Sequence, residues 1–163
     1  MGNLTLKGEY NITVTYQNMF NTYQSTMKNS NLITDEGLAF LVEKWNDMDN
    51  NKITKIIIGT NSADPSPKDT ISVFNEEYIF NVDVSNEKNR LIMTNNSVSG
   101  KHLYNTTEIG VIGEASIDDN NGTVQTLISR STHPQITIPE TSIISLEYTF
   151  TLKSLTIDEC QDE

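Results

Sequence analysis

Tyr10, Ile12, Val14 and Tyr16 alternate with Asn11, Thr13 and Thr15. A period of two puts one set of side chains on each face of a pleated strand, so this stretch predicts a half-buried strand. Gln17 and Asn18 can turn the chain, and residues 20–28 make a second, more polar strand, giving a hairpin. The alternation returns at Tyr78, Phe80, Val82 and Val84. It is longest and cleanest at Ile144, Leu146, Tyr148, Phe150 and Leu152, set against Ser145, Glu147, Thr149 and Thr151. Residues 53–58 are different: "IIIG" is apolar on both faces, which predicts a central strand covered from both sides. Residues 86–89 (NEKN) read as a turn, with a return strand over 90–94. Residues 108–112 form another apolar strand. Asn121-Gly122 is a strong hairpin signal and leads into a strand over 124–130.

One segment has the other period. Leu38, Leu41, Val42 and Trp45 fall at i, i+3, i+4 and i+7, one face of a helix over about 34–46. Thr34 can cap it, and Asp35 and Glu36 suit its positive end. Gly37 weakens the helix somewhat. About three turns cannot stand alone in water, so this helix must lie on a sheet with its Trp45 face buried. After the 53–58 strand the chain enters a loop, Gly59 to Thr70, with Pro65 and Pro67.

Eight or nine strands with short connections, and no regular crossover helices, predict a mainly β fold: an antiparallel β-sandwich or barrel-like domain with one short helix. Residues 1–157 form a single structural domain and residues 158–163 an acidic tail. The 163 residues suffice for a core, although only 36% are hydrophobic.

Eleven basic residues stand against twenty-two acidic ones, a net charge of −11. Such a surface repels nucleic-acid backbones and anionic lipid, so neither is an expected partner. Cys160 is the only cysteine, which rules out an intrachain disulfide and a cysteine-based zinc site. The first residues lack the apolar core of a signal peptide, and no run is long enough to span a membrane. Sequons at Asn3, Asn11, Asn95, Asn105 and Asn121 then reflect the abundance of Asn and Thr.

No arrangement commits to catalysis. His102 and His133 have no ligand spacing and read as surface or loop residues. There is no G-x-S-x-G elbow, and the loop after Gly59 lacks the order of a phosphate loop. "DMDNNKI" from Asp47 starts like a calcium loop but has Lys52 and Ile58 where Gly and Glu are required. A looser calcium site at Asp47/Asp49 or Asp118/Asp119 stands as an alternative to solvated turn acids. No cofactor or metal is expected.

The order of short motifs carries more information than any one of them. "NLITDEGL" at 31–38 precedes "IIIGT" at 56–60 and a loop ending "DT" at 69–70. "TEIGVIG" at 107–113 and "LISRSTHPQITIPETSIISLEYTFTL" at 127–152 follow. This order resembles a family of small structural proteins of tailed bacteriophages and phage-tail-like particles, over roughly residues 8–152. The resemblance implies a β-rich domain of tail fibres and baseplate-associated proteins. It makes Asn31, Gly37, Gly59 and Gly110 fold-determining residues, and the helix cap Thr34 and helix-face Trp45 join them as structural residues. Asn61, Asp64, Lys68, Lys101 and His102 are candidate interaction-loop residues, in the 59–70 and 95–107 loops that a binding module would use.

The expected function is thus a virion structural protein of the tail, baseplate or fibre-attachment region. It would be made in the bacterial cytoplasm and act by assembly, not catalysis. Its expected partners are other virion proteins and copies of itself in a trimer or hexamer ring. Alternatives are a head decoration or collar protein, or a receptor- or carbohydrate-binding module facing a host receptor.

Overall fold

The structure, a computed structural model, describes the backbone of residues 3–17, 22–46, 51–75, 78–98, 104–116, 122–140 and 142–155. In chain order the described elements are β1 (Asn3–Gln17), β2 (Thr22–Ser30), β3 (Leu32–Ile33), α1 (Asp35–Asn46), β4 (Asn51–Gly59), β5 (Tyr78–Asn81), β6 (Asp83–Glu87), β7 (Arg90–Val98), β8 (Tyr104–Ser116), β9 (Thr123–Ile138) and β10 (Ile143–Leu155). A 3-10 turn spans Ile71–Val73. The strands form two five-stranded antiparallel sheets, ordered β2-β1-β10-β7-β6 and β3-β9-β8-β4-β5. Both are open, so the fold is a β-sandwich and not a closed barrel.

The long alternating runs pair with each other. β1 and β10 run antiparallel from Asn3↔Leu155 to Thr15↔Ile143, which sends Tyr10, Ile12 and Val14 inward together with Ile144, Leu146 and Tyr148. The second sheet answers with Ile56, Ile58, Ile109, Val111 and Ile128. The doubly apolar "IIIG" has a direct cause. Ile57 points to the other face, where it joins Ile112, Leu127 and Phe74 in a smaller cluster. The segment between β4 and β5 folds back over that face, with Ile71, Val73 and Phe74 against the cluster.

Three expectations need correcting. First, the run from Tyr78 to Val84 is not one half-buried strand. It leaves the second sheet after Asn81 and joins the first at Asp83, with the Val82 N–H donating to the Thr54 carbonyl at 3.0 Å. Each half is an edge strand, so Ile79 and Val84 stay 43% and 41% exposed. Second, β9 does not stop near 130. It runs through His133 and Pro134 because a bulge absorbs them: Glu108 pairs Thr132 and Thr106 pairs Ile136, leaving residues 133–135 opposite Thr107. A bulge is where a strand tolerates proline.

Third, the helix buries a different face. Leu38 and Val42 are 46% and 66% exposed, whereas Phe40 is buried and Leu41 partly so. Gly37 decides this rotation. A Cβ there would lie 2.1 Å from the Ile128 carbonyl oxygen, so only glycine lets the helix rest on the β9 backbone. One turn on, Phe40 drops against Gly113 of β8 and enters the main core. Trp45 belongs to the helix, but its side chain lies outside the described residues.

Candidate functional site

β9 carries the stretch Ser129-Arg130-Ser131-Thr132-His133, and four of these five side chains are polar yet buried. Arg130 points to the outer face of the second sheet, beside Phe74. Ser129, Ser131 and His133 point between the sheets, toward Tyr148 and Tyr10. One strand therefore supports a polar cluster on each face.

The outer cluster is built on Arg130, 1% exposed, and Glu108 of β8, which is fully buried. Arg130 Nε donates to Glu108 Oε2 at 2.9 Å, Nη1 to Asp69 Oδ2 at 3.1 Å, and Nη2 to the Asn61 carbonyl at 3.0 Å. The guanidinium carbon also lies 5.8 Å from the Phe74 ring centroid. Glu108 spends its other oxygen on the loop, accepting the N–H of Asn61 at 2.8 Å and of Asn75 at 3.3 Å. Thr106 donates its hydroxyl to the Gly59 carbonyl, where β4 ends. Buried ions are tolerated only when paired and hydrogen-bonded, and here every nitrogen of the guanidinium has a protein acceptor.

The helix start joins the same cluster. Thr34 donates its N–H to the Ile128 carbonyl at 2.9 Å and its hydroxyl to that of Leu127 at 2.5 Å. Its oxygen accepts the Gly37 N–H at 2.9 Å, capping α1. Asp35 donates its N–H to the Pro67 carbonyl at 2.8 Å. Two residues on, Asp69 holds both Arg130 and the Ser66 N–H. The motifs scattered over 31–38, 56–60, 69–70, 107–113 and 127–152 thus meet at one place.

Asn31 sits at the corner between β2 and β3. Its N–H donates to the Gly8 carbonyl at 3.3 Å and its side-chain amide to the Tyr148 hydroxyl. Gly59 ends β4. Gly110 lies under Phe74 and Leu127, where a Cβ would crowd the Ser129 carbonyl at 2.7 Å. Asn61 is not a free loop residue: its N–H, carbonyl and both side-chain groups are all bonded within the protein. Asp64 and Lys68 are exposed on the loop surface. Lys101, His102, Asp47, Asp49, Asp118, Asp119 and Cys160 lie outside the described residues.

No family model, curated protein or solved structure matches the chain. The geometry must therefore speak for itself. The outer cluster is a clamp: its cation is enclosed and each of its nitrogens has an acceptor, so it pins the loop to β8 and β9. Among the described residues no three His, Cys, Asp or Glu side chains come together as a metal site. Also among them, no helix is long and apolar enough to cross a membrane.

The inner cluster is a polar seam in an apolar core. Tyr148 shares a 2.6 Å hydrogen bond with Ser129 as well as the Asn31 contact, and burial pushes its phenol above the usual range. Tyr10 lies 6.0 Å from Tyr148 and 6.0 Å from the His133 ring, and the Ser131 hydroxyl is 3.4 Å from its own. His133 is not on the surface or in a loop; it is 7% exposed, inside the bulge.

Asp69, Glu108 and Arg130 lie inside the motifs but carry no site assignment from the sequence, although a signal for two of them is there. A lone Glu in "TEIG" and a lone Arg in "LISRS" each interrupt an apolar strand, and charges placed so are buried only in pairs.

Proposed function

We propose that this chain is a structural subunit of a bacteriophage or phage-tail-like particle, in the tail, baseplate or fibre-attachment region, and acts by protein–protein assembly. The observation that carries the reading is the ordered set of motifs resembling that family. That these motifs meet at the Arg130 clamp supports a shared architectural role for them. The β5–β6 side offers a place for a neighbouring subunit. Ile79, Val84 and Tyr78 are exposed there on two edge strands, and sheet edges with apolar side chains are a liability that assembly removes. Repeated copies in a ring or trimer would cover such edges by closed symmetry. The net charge of −11 keeps free subunits apart until a complementary surface is met.

The test is to purify particles from the source, wash them in high salt and identify their proteins by mass spectrometry. The reading requires this chain in the washed particles. Its absence there, with abundance in the lysate, would overturn the reading.

A further inference from the structure

Ser129, Ser131 and His133 give the interior a line of polar groups, and of these only His133 changes charge near neutral pH. We propose that His133 makes the β8–β9 bulge acid-sensitive: protonation of its enclosed ring opens the bulge while the β1–β10 pairing holds.

The ring's surroundings carry the argument. Its Nδ1–H donates to the Pro134 carbonyl at 2.8 Å, so the neutral ring leaves Nε2 as a bare acceptor. Nε2 is buried and has no partner. Protonation would place an N–H and a positive charge where nothing accepts them. Among the described residues, the ionisable groups facing the ring are Tyr10 from β1 and, through the sheet, Glu108 from β8. Tyr10 is a neutral phenol, stacked in turn on Tyr148. Glu108 favours the charged ring, but its carboxylate is already held by Arg130 and Asn61 on the other face. Burial outweighs both the Pro134 hydrogen bond and the Glu108 charge, and the His133 pKa lies below the ordinary histidine value.

The bulge is also the place where opening disturbs least. Residues 133–135 stand opposite Thr107 alone, Pro134 has no N–H to offer, and Thr107 Oγ1 is buried without a partner. Because the folded pKa is depressed, the contribution to stability is complete above the unfolded value of about 6.5 and is lost as pH falls through the folded value. This inference stands apart from the assembly reading, since it concerns the isolated chain.

The experiment is amide hydrogen exchange by NMR between about pH 7.5 and about pH 5. Rates are corrected for their intrinsic pH dependence and compared for the native chain, His133→Gln and His133→Phe. In the native chain, protection at residues 106–108, 132 and 136 should fall severalfold as the pH drops, while β1–β10 amides keep theirs. Either variant that folds should lack the step. The same step in a folded variant would overturn the proposal. If neither variant folds, the native His133 ring is followed directly by its own NMR shifts. Titration below about 6.5 together with the exchange step supports the proposal; titration at or above that value, or without the step, overturns it.

Discussion

Asn31 and Val82 do the same job at different places. At each, one extended run leaves one sheet and joins the other, β2 into β3 and β5 into β6. The Asn31 crossing is held by several bonds. Its backbone is tied to Gly8, its side chain to Tyr148, and the next turn of chain to Ile128, Leu127 and Pro67. The Val82 crossing has one backbone bond to Thr54, with Asn95 donating to the Asn81 carbonyl beside it. A shallow depression of about 620 Å³ opens there, lined by Lys52, Thr54, Lys55, Asn81, Val82 and Glu114. Topology alone therefore does not set local stability. Buried, hydrogen-bonded polar groups do, and more of them lie on the Asn31 side, even though Asn31 Oδ1 is itself buried without a partner.

The hardest blow to this contrast is Arg130→Met. It leaves Glu108 buried without its cation and should cost about 3–5 kcal/mol in urea unfolding. A loss below about 1 kcal/mol, the scale of an exposed ion pair, would mean the clamp is not the anchor of the Asn31 side. Phe40→Ala should cost a similar 3–5 kcal/mol or so, because a buried ring leaves a cavity in the core. Exposed Val42, two residues away, should tolerate Ala within about 0.5 kcal/mol. Equal effects at the two positions would restore the helix face first read from Leu38 and Val42.

Gly37→Ala is the finer probe. The helix must lift from the Ile128 backbone, at about 1–3 kcal/mol, the usual cost of overpacking. No change in the thermal midpoint would show that the helix does not rest on β9. On the other side, Ile79→Thr and Val84→Thr should each alter the stability of the isolated chain by no more than about 0.5 kcal/mol. A larger loss in either would show that the Val82 crossing is anchored in a way its exposure does not reveal.

Strand alternation and the Thr34 cap were legible in the sequence because each is a local signal. Period two in 10–16 and 144–152 is set by residues that meet across a single ladder, and a cap bonds three positions away. The Phe40 face was not legible in the same way. Its partner is the missing side chain of Gly113, far along the chain, and hydrophobicity patterns give a glycine no weight. Val82 looked like the interior of a strand because a change of sheet preserves the alternation while removing the neighbours that bury it. His133 reads as a loop residue because a proline follows it, whereas a bulge accommodates both within a strand. Of the clamp, Thr34 is legible as a cap and Asn61 as a loop residue. Arg130 is not legible, because a charge in an apolar strand reveals its role only when its partner 22 residues away is known.

The contrast between the two crossings is tested most directly by native-state hydrogen exchange on the isolated chain at neutral pH, residue by residue. Amides of Asn31, Thr34, Asp35 and Gly37 should exchange only through openings close to global unfolding. Those of residues 79–86 should exchange through small local openings that leave the rest of the sandwich protected. Equal protection at the two crossings, or stronger protection around Val82, would contradict the division into a closed side and an open one.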